Sequence, residues 1–262
     1  MASLPLRVAL LTSRRAPGLG ALLDDPARGS LYELVVGIVT DPTGEAAAQL
    51  GRIAAVHDLR AFCRTQGGKL GDPSLRERFD QQTVRFLRRY RPDLIVLSGY
   101  LHVLTTPMLA AFPERIVNLH DADLTLVGTD GLPRYRGLRS TYDAIAAGEP
   151  ETRSCAHFVN EKVDVGPVVV RSQAFPVDRL VADARGWQAK EILKAYAFAQ
   201  REWMMRAAWG PLLGQTIRLF AEERVHLLDG RVVVDGRFGP LALPAERPGE
   251  RPEGEVLLCR IS

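Results

Sequence analysis

The chain has 262 residues, 46% of them hydrophobic and 25% charged, enough for one large domain or a domain with a small appendage. Lys and Arg number 34 against 31 Asp and Glu, a net charge of +3, and an excess this small argues against a nucleic-acid binder. Cys63, Cys155 and Cys259 are widely spaced with no zinc-ligand pair, which reads as three reduced thiols and no metal site. No apolar run reaches membrane-span length and no signal-peptide pattern opens the chain, so a cytoplasmic protein without a membrane partner is expected.

The run Arg7 to Thr12 reads as a buried first strand, followed by a turn-rich stretch from Ser13 to Gly20 and helical periodicity from Ala21. Glu33 to Thr40 is rich in β-branched residues and predicts a second strand. Helices are predicted over 44–57 and 75–90, the second with Phe79, Val84, Phe86 and Leu87 on one face. Leu94 to Ser98 is the next strand. Asp121 to Gly137 holds three Gly and one Pro and reads as a long loop. A short helix over 140–148 and strands at 156–159 and 167–172 follow. A long helical region spans 189–221, in which Pro211 should end or kink the helix. Val225 to Val234, with Asp229-Gly230 at its centre, is a hairpin signal. Residues 244–253 read as exposed linker. The alternation predicts an α/β, Rossmann-like fold. It would have a mostly parallel twisted sheet, helices on both faces, and a C-terminal helix and short hairpin. The expected division is a catalytic domain over 1–225 and a short extension over 226–262.

Three polar residues stand beside apolar strand-like runs. Asn118 and His120 are two apart, so on a strand they share a face. They follow a buried strand, whose carboxyl end is where open α/β sheets bind ligands. Asn brings an NH₂ donor and His a donor or a base. Asp164, between two valines and just before Gly166-Pro167, can orient His120 or raise its pKa. Such a trio can stabilise an oxyanion and move a proton, which points to acyl transfer. The bland alternatives are a turn Asn, a surface His and a turn Asp. His157 lies in a strand-like run and His102 follows Gly99-Tyr100-Leu101. Either can be an ordinary structural histidine. Arg14-Arg15 can bind an anion or form a solvated loop.

Together these residues resemble the folate-dependent formyltransferases, in particular the glycinamide ribonucleotide transformylase branch. The resemblance rests on Asp93 to Leu104, on Asn118-Leu119-His120 and on His157 to Pro167, and runs from about residue 7 to about residue 225. It implies 10-formyltetrahydrofolate as co-substrate and a small-molecule amine as acceptor. Asn118 and His120 would stabilise the tetrahedral oxyanion. Asp164 would hold His120 and relay a proton. The pterin would lie between Leu101, His102, Val103 and Leu104 and the segment carrying Asn160, Glu161, Val163 and Val165. His157 is placed on the substrate side. A monomer or a homodimer is compatible with this reading.

Two departures bear on the acceptor. The branch has a Gly-Asn-Gly-Ser-Asn-type phosphate loop after its first strand, and this chain has Arg14-Arg15-Ala16-Pro17-Gly18. Pro17 has no N–H and the hydroxyl and amide donors are gone, which weighs against glycinamide ribonucleotide. After the histidine, Asp121-Ala122-Asp123-Leu124 and an insertion of about eight residues replace Pro-Ser-Leu-Leu-Pro. Asp121 and Asp123 are therefore candidate contacts for an amino-bearing acceptor, or loop caps. The expected activity is formyl transfer to an amino sugar or a specialised-metabolite amine. The alternatives are glycinamide ribonucleotide itself, hydrolysis of formyltetrahydrofolate, or non-catalytic folate binding.

Overall fold

The computed structural model describes residues 4–181, 186 and 189–244. Five strands run parallel at its centre: β1 (Leu6–Thr12), β2 (Tyr32–Val39), β3 (Ala54–Val56), β4 (Leu94–Leu97) and β5 (Ile116–His120). Between them lie α1 (Leu19–Leu23), α2 (Ala46–Leu50), α3 (Leu59–Thr65), α4 (Pro73–Arg88) and α5 (Thr106–Ala111). Then come α6 (Ser140–Ala147), β6 (Glu151–Thr152), β7 (Cys155–Phe158), β8 (Val168–Arg171) and β9 (Phe175–Pro176). The long α7 (Lys190–Ala221) precedes β10 (Val225–Leu228), β11 (Arg231–Val234), β12 (Arg237–Phe238) and β13 (Leu241–Ala242).

The main sheet has eight strands in the order β13-β8-β7-β5-β4-β1-β2-β3. β7 is antiparallel to both β5 and β8. The sheet is buried on both faces, as its near-continuous apolar strands require. Leu10, Val96, Val117 and Leu119 pack with Met204, Trp209 and Leu212 of α7 on one face. Leu11, Ile95 and Ile116 pack with Val84, Leu87 and Met108 of α4 and α5 on the other. The strand order reverses between β1 and β4, so the loops leaving these two strands frame a crevice of the kind that binds ligands. They meet closely there: a Cβ on Gly99 would lie 2.5 Å from the Arg15 carbonyl oxygen, and Gly99 has φ 66°.

Several expectations need correction. The helix expected over 44–57 is only α2 and a 3₁₀ turn at Gly51–Ile53. Gly51 takes φ 55° and ends α2. Ala54-Ala55-Val56 then pairs with Gly37, Ile38 and Val39 as an edge strand. Pairing outweighs alanine's helix preference. Pro211 does not end α7. Its ring lies on the exposed face, where water can satisfy the one carbonyl it frees, and Trp209 and Leu212 stay buried on either side. The hairpin forms as expected, with Asp229 and Gly230 both at positive φ. Val225, Val232 and Val234 share the core of the main sheet, and β13 pairs with β8. The linker expected over 244–253 lies, after Pro244, outside the described residues.

Candidate active site

β5 aligns the first two residues. Its antiparallel register with β7 sets Asn118 opposite His157 and His120 opposite Cys155. Asn118 Nδ2 stands 3.2 Å from His157 Nε2, and His157 Nδ1 stands 2.8 Å from the Phe158 carbonyl oxygen. A carbonyl only accepts, so Nδ1 of His157 carries a proton. In the neutral ring Nε2 then accepts from the Asn118 amide, which keeps one N–H for a ligand.

His120 is 7% exposed. Its Nε2 lies 3.1 Å from the Tyr135 carbonyl oxygen, so by the same reasoning Nε2–H donates there. The basic nitrogen is Nδ1, and it faces Asp164 Oδ2 at 3.5 Å. Burial lowers the His120 pKa, and the Asp164 charge opposes that shift.

Asp164 closes the ring of contacts. Oδ1 lies 3.6 Å from His157 Nε2, while Oδ2 accepts the Gly137 N–H at 2.8 Å. Burial alone would raise its pKa. A proton on the facing nitrogen of His157, the charge of a protonated His120 and the Gly137 N–H outweigh burial and bring it down to about 2. Asp164 holds φ 53°, a conformation uncommon outside Gly, Asn and Asp. Gly166 lets the chain turn back tightly, since a Cβ there would lie 1.7 Å from the Phe158 carbonyl oxygen. Asn118, His157, Asp164 and His120 thus form one polar cluster at the carboxyl end of β5.

The segment after β4 is tied down on both sides. The Leu101 N–H donates to Ser13 Oγ at 3.0 Å, and Arg76 Nη2 donates to the Val103 carbonyl at 2.5 Å. Thr105 gives its N–H and hydroxyl to Asp80 Oδ2, at 2.6 and 2.7 Å. The Leu101 and Val103 side chains are exposed, whereas Leu104 is buried in the core. Leu104 can therefore meet a ligand only through its backbone. Among the described residues the N–H groups of His102, Val103 and Leu104 have no protein acceptor. Burial, with help from Arg76, brings the His102 pKa down to about 4. Asn160, Glu161 and Val163 are exposed. Val165 is half-buried, with its N–H on the Lys162 carbonyl.

The expected substrate residues divide. Arg14 is exposed. Arg15 directs both Nη atoms to Glu202 on α7, at 3.2 and 2.9 Å. Two neighbouring donors are engaged, Ser13 N–H on the Gly99 carbonyl and Ala16 N–H on Gln49 Oε1, while among the described residues the Arg14, Arg15 and Gly18 N–H groups meet no protein acceptor. Asp121 accepts from Arg201 Nε at 2.5 Å. Asp123 is an internal cap: Oδ1 accepts from the Thr125 N–H and hydroxyl, and Oδ2 lies 3.4 Å from Arg171 and 3.8 Å from Arg153. Of the two readings of Asp123, the geometry matches the loop cap. His157 sits inside the cluster and orients Asn118. Tyr135, Gly137, Arg201 and Glu202 escaped the sequence reading. The first two act through backbone atoms, and the last two resemble a solvated helix face in sequence.

Two surface cavities, of about 300 and 510 Å³, lie away from the cluster, against α4–α5 and beside Leu34 and Leu50. Among the described residues no group of three or more His, Cys, Asp or Glu can hold a metal ion, and no helix is long and apolar enough to cross a membrane.

The formyl transferase family model matches residues 6–208. The trifunctional purine biosynthetic protein adenosine-3 of Drosophila melanogaster is 33% identical over 174 residues, covering 65% of this chain and 12% of that protein. The phosphoribosylglycinamide formyltransferase of Haemophilus influenzae is 32% identical over 157 residues, 59% of this chain and 62% of the relative. The chain thus spans less than two thirds of the length of either relative. The crystal structure of glycinamide ribonucleotide transformylase 1 from Symbiobacterium toebii superposes with a TM-score of 0.62 at 26% identity, covering 88% of this chain and 94% of that one. With its parallel sheet and its Asn-His-Asp cluster at the end of β5, the chain belongs to the formyl transferase family.

Proposed function

We propose that this chain moves a formyl group from 10-formyltetrahydrofolate to the amine of a small-molecule acceptor other than glycinamide ribonucleotide, such as an amino sugar or a specialised-metabolite amine. The observation that supports it best is the cluster of Asn118, His157, Asp164 and His120. The donor supplies an activated acyl carbon. As the acceptor nitrogen bonds to that carbon, the C=O electron pair moves onto oxygen, and the second N–H of Asn118 donates to that oxyanion. The amine's proton passes to the basic edge formed by His120 Nδ1 and Asp164. A protonated His120 then adds its charge against the oxyanion. Collapse restores C=O, breaks the bond to the folate nitrogen and returns a proton to that nitrogen.

The open N–H groups of His102, Val103 and Leu104 suit the polar edge of a pterin, with the 160–165 segment as the opposing wall. On the acceptor side, Pro17 in the turn after β1 has no N–H and the Ser13 and Ala16 N–H groups are engaged internally, which weighs against a phosphate cradled there as in a glycine-rich loop.

The test is turnover of 10-formyltetrahydrofolate with a panel of amines that includes glycinamide ribonucleotide and amino sugars, read as tetrahydrofolate plus an N-formyl product. Formate without an N-formyl product would make the chain a hydrolase. No consumption of the donor would remove the catalytic reading.

A further inference from the structure

Three consecutive residues of α7 tie the helix to three different parts of the fold. Gln200 Nε2 donates to Thr152 and to the carbonyls of Phe175 and Pro176. Arg201 Nε donates to Asp121 Oδ2, and Glu202 receives Arg15. The rotational setting of α7 is therefore fixed where it passes the site. Asp121 directly follows His120, so the Arg201 guanidinium stands one residue from the catalytic histidine.

Arg201 is only half used. Among the described residues its Nη1 and Nη2 meet no acceptor, and its side chain is 29% exposed. The carboxylate that orients it is 8% exposed, and the second oxygen, Oδ1, has no protein partner. Buried polar atoms are nearly always paired, so Oδ1 lacks a donor such as an acceptor's N–H, and only the free Nη groups of Arg201 are open to an oxyanion. The charges nearby are close to balanced, since Glu45 acts on Arg15 and Asp41 lies within the field of Arg14. Arg15 offsets Glu202 and Arg201 offsets Asp121. Arg14, beside Arg15, and Arg206, whose charge acts on Glu202, form no ion pair among the described residues.

We infer that Arg201, aimed by Asp121, is the specificity-determining residue that receives an oxyanion, carboxylate or phosphate, carried by the amine acceptor. A guanidinium held at Nε presents its two Nη groups as a planar fork that matches either oxyanion. It places on α7 a side-chain anion contact beside the residue that follows His120. The identity of the molecule bearing that oxyanion rests on the formyl-transfer reading; the anion site itself does not.

The experiment is calorimetric titration of the full chain, with and without saturating 5-formyltetrahydrofolate, using inorganic phosphate in one arm and acetate in the other. Saturable binding of at least one anion is expected. Arg201→Gln should weaken it about tenfold or more and lower the melting temperature, because the buried Asp121 loses its partner, while the folded variant keeps its 5-formyltetrahydrofolate affinity. Arg201→Lys should retain part of it, and Arg14→Gln should cost less than Arg201→Gln. Tighter phosphate binding identifies a phosphorylated amine, and tighter acetate binding an amino acid-like one. Failure of both anions to bind, or unchanged binding in Arg201→Gln, overturns the inference. Anion binding that depends on Arg201 in a chain that ignores 5-formyltetrahydrofolate would remove the formyl-transfer reading and leave the anion site standing.

Discussion

Asp164 and His120 share an edge that is built to hold a proton. Oδ2 lies 3.5 Å from Nδ1 and also takes the Gly137 N–H, while the Tyr135 carbonyl claims the other ring nitrogen. The segment from Tyr135 to Gly137 thus fixes both members of the pair through backbone atoms alone.

Replacing Asp164 with Asn tests that edge. Asn tolerates the positive φ found here and keeps an oxygen for the Gly137 N–H, so the fold should survive. The charge is lost, and formyl transfer should fall about a hundredfold or more. Steady-state kinetics beside a melting curve separate the two effects. Wild-type turnover in the folded variant would remove Asp164 from the chemistry.

The same carboxylate makes stability depend on acid. Its pKa is about 2 in the folded chain, below the value near 3.9 of a free aspartate. A depressed carboxylate contributes stability that is fully present above the unfolded pKa and is lost as pH falls through the folded one. The contribution is on the order of 2 kcal/mol and should disappear between about pH 4 and pH 2. Denaturant unfolding across that range should show a steeper loss for the wild type than for Asp164→Asn. Equal slopes would mean that the rings beside Asp164 do not hold its charge.

Asn118→Ala removes the proposed oxyanion donor and leaves His157 Nε2 without its partner. The rate constant should drop by about 10²–10³, with donor affinity little altered. A change confined to the donor KM would instead make Asn118 a binding residue.

Gly166→Ala tests the tight return before β8. Its new methyl would lie 1.7 Å from the Phe158 carbonyl oxygen, a backbone atom that cannot swing away. The expected loss is on the order of 3 kcal/mol or more, read by denaturant unfolding. A loss below about 1 kcal/mol would mean that this segment relaxes freely.

The residues that sequence reveals and those it hides differ for physical reasons. Asn118 and His120 are readable because a strand puts alternate residues on one face and because the apolar run before them is unmistakable. Their partnership with Asp164 is readable through the spacing of the family resemblance. β3 is hidden because Ala54-Ala55-Val56 carries no strand signal of its own and forms only by pairing with β2. Pro211 does not end its helix because a proline on an exposed helix face costs one hydrogen bond that water can replace. Arg201 and Glu202 look like any charged helix pair until the fold sets Asp121 and Arg15 against them. Tyr135 and Gly137 contribute a carbonyl and an N–H, groups every such residue has, so only the folded chain distinguishes them.

The most direct measurement is calorimetric titration of the purified chain with 5-formyltetrahydrofolate, a stable stand-in for the donor. Saturable binding of one molecule per chain, weakened when the 101–104 segment is loosened by Asp80→Ala, is the predicted result. Absence of binding to a folded chain would contradict the donor site and, with it, folate-dependent formyl transfer.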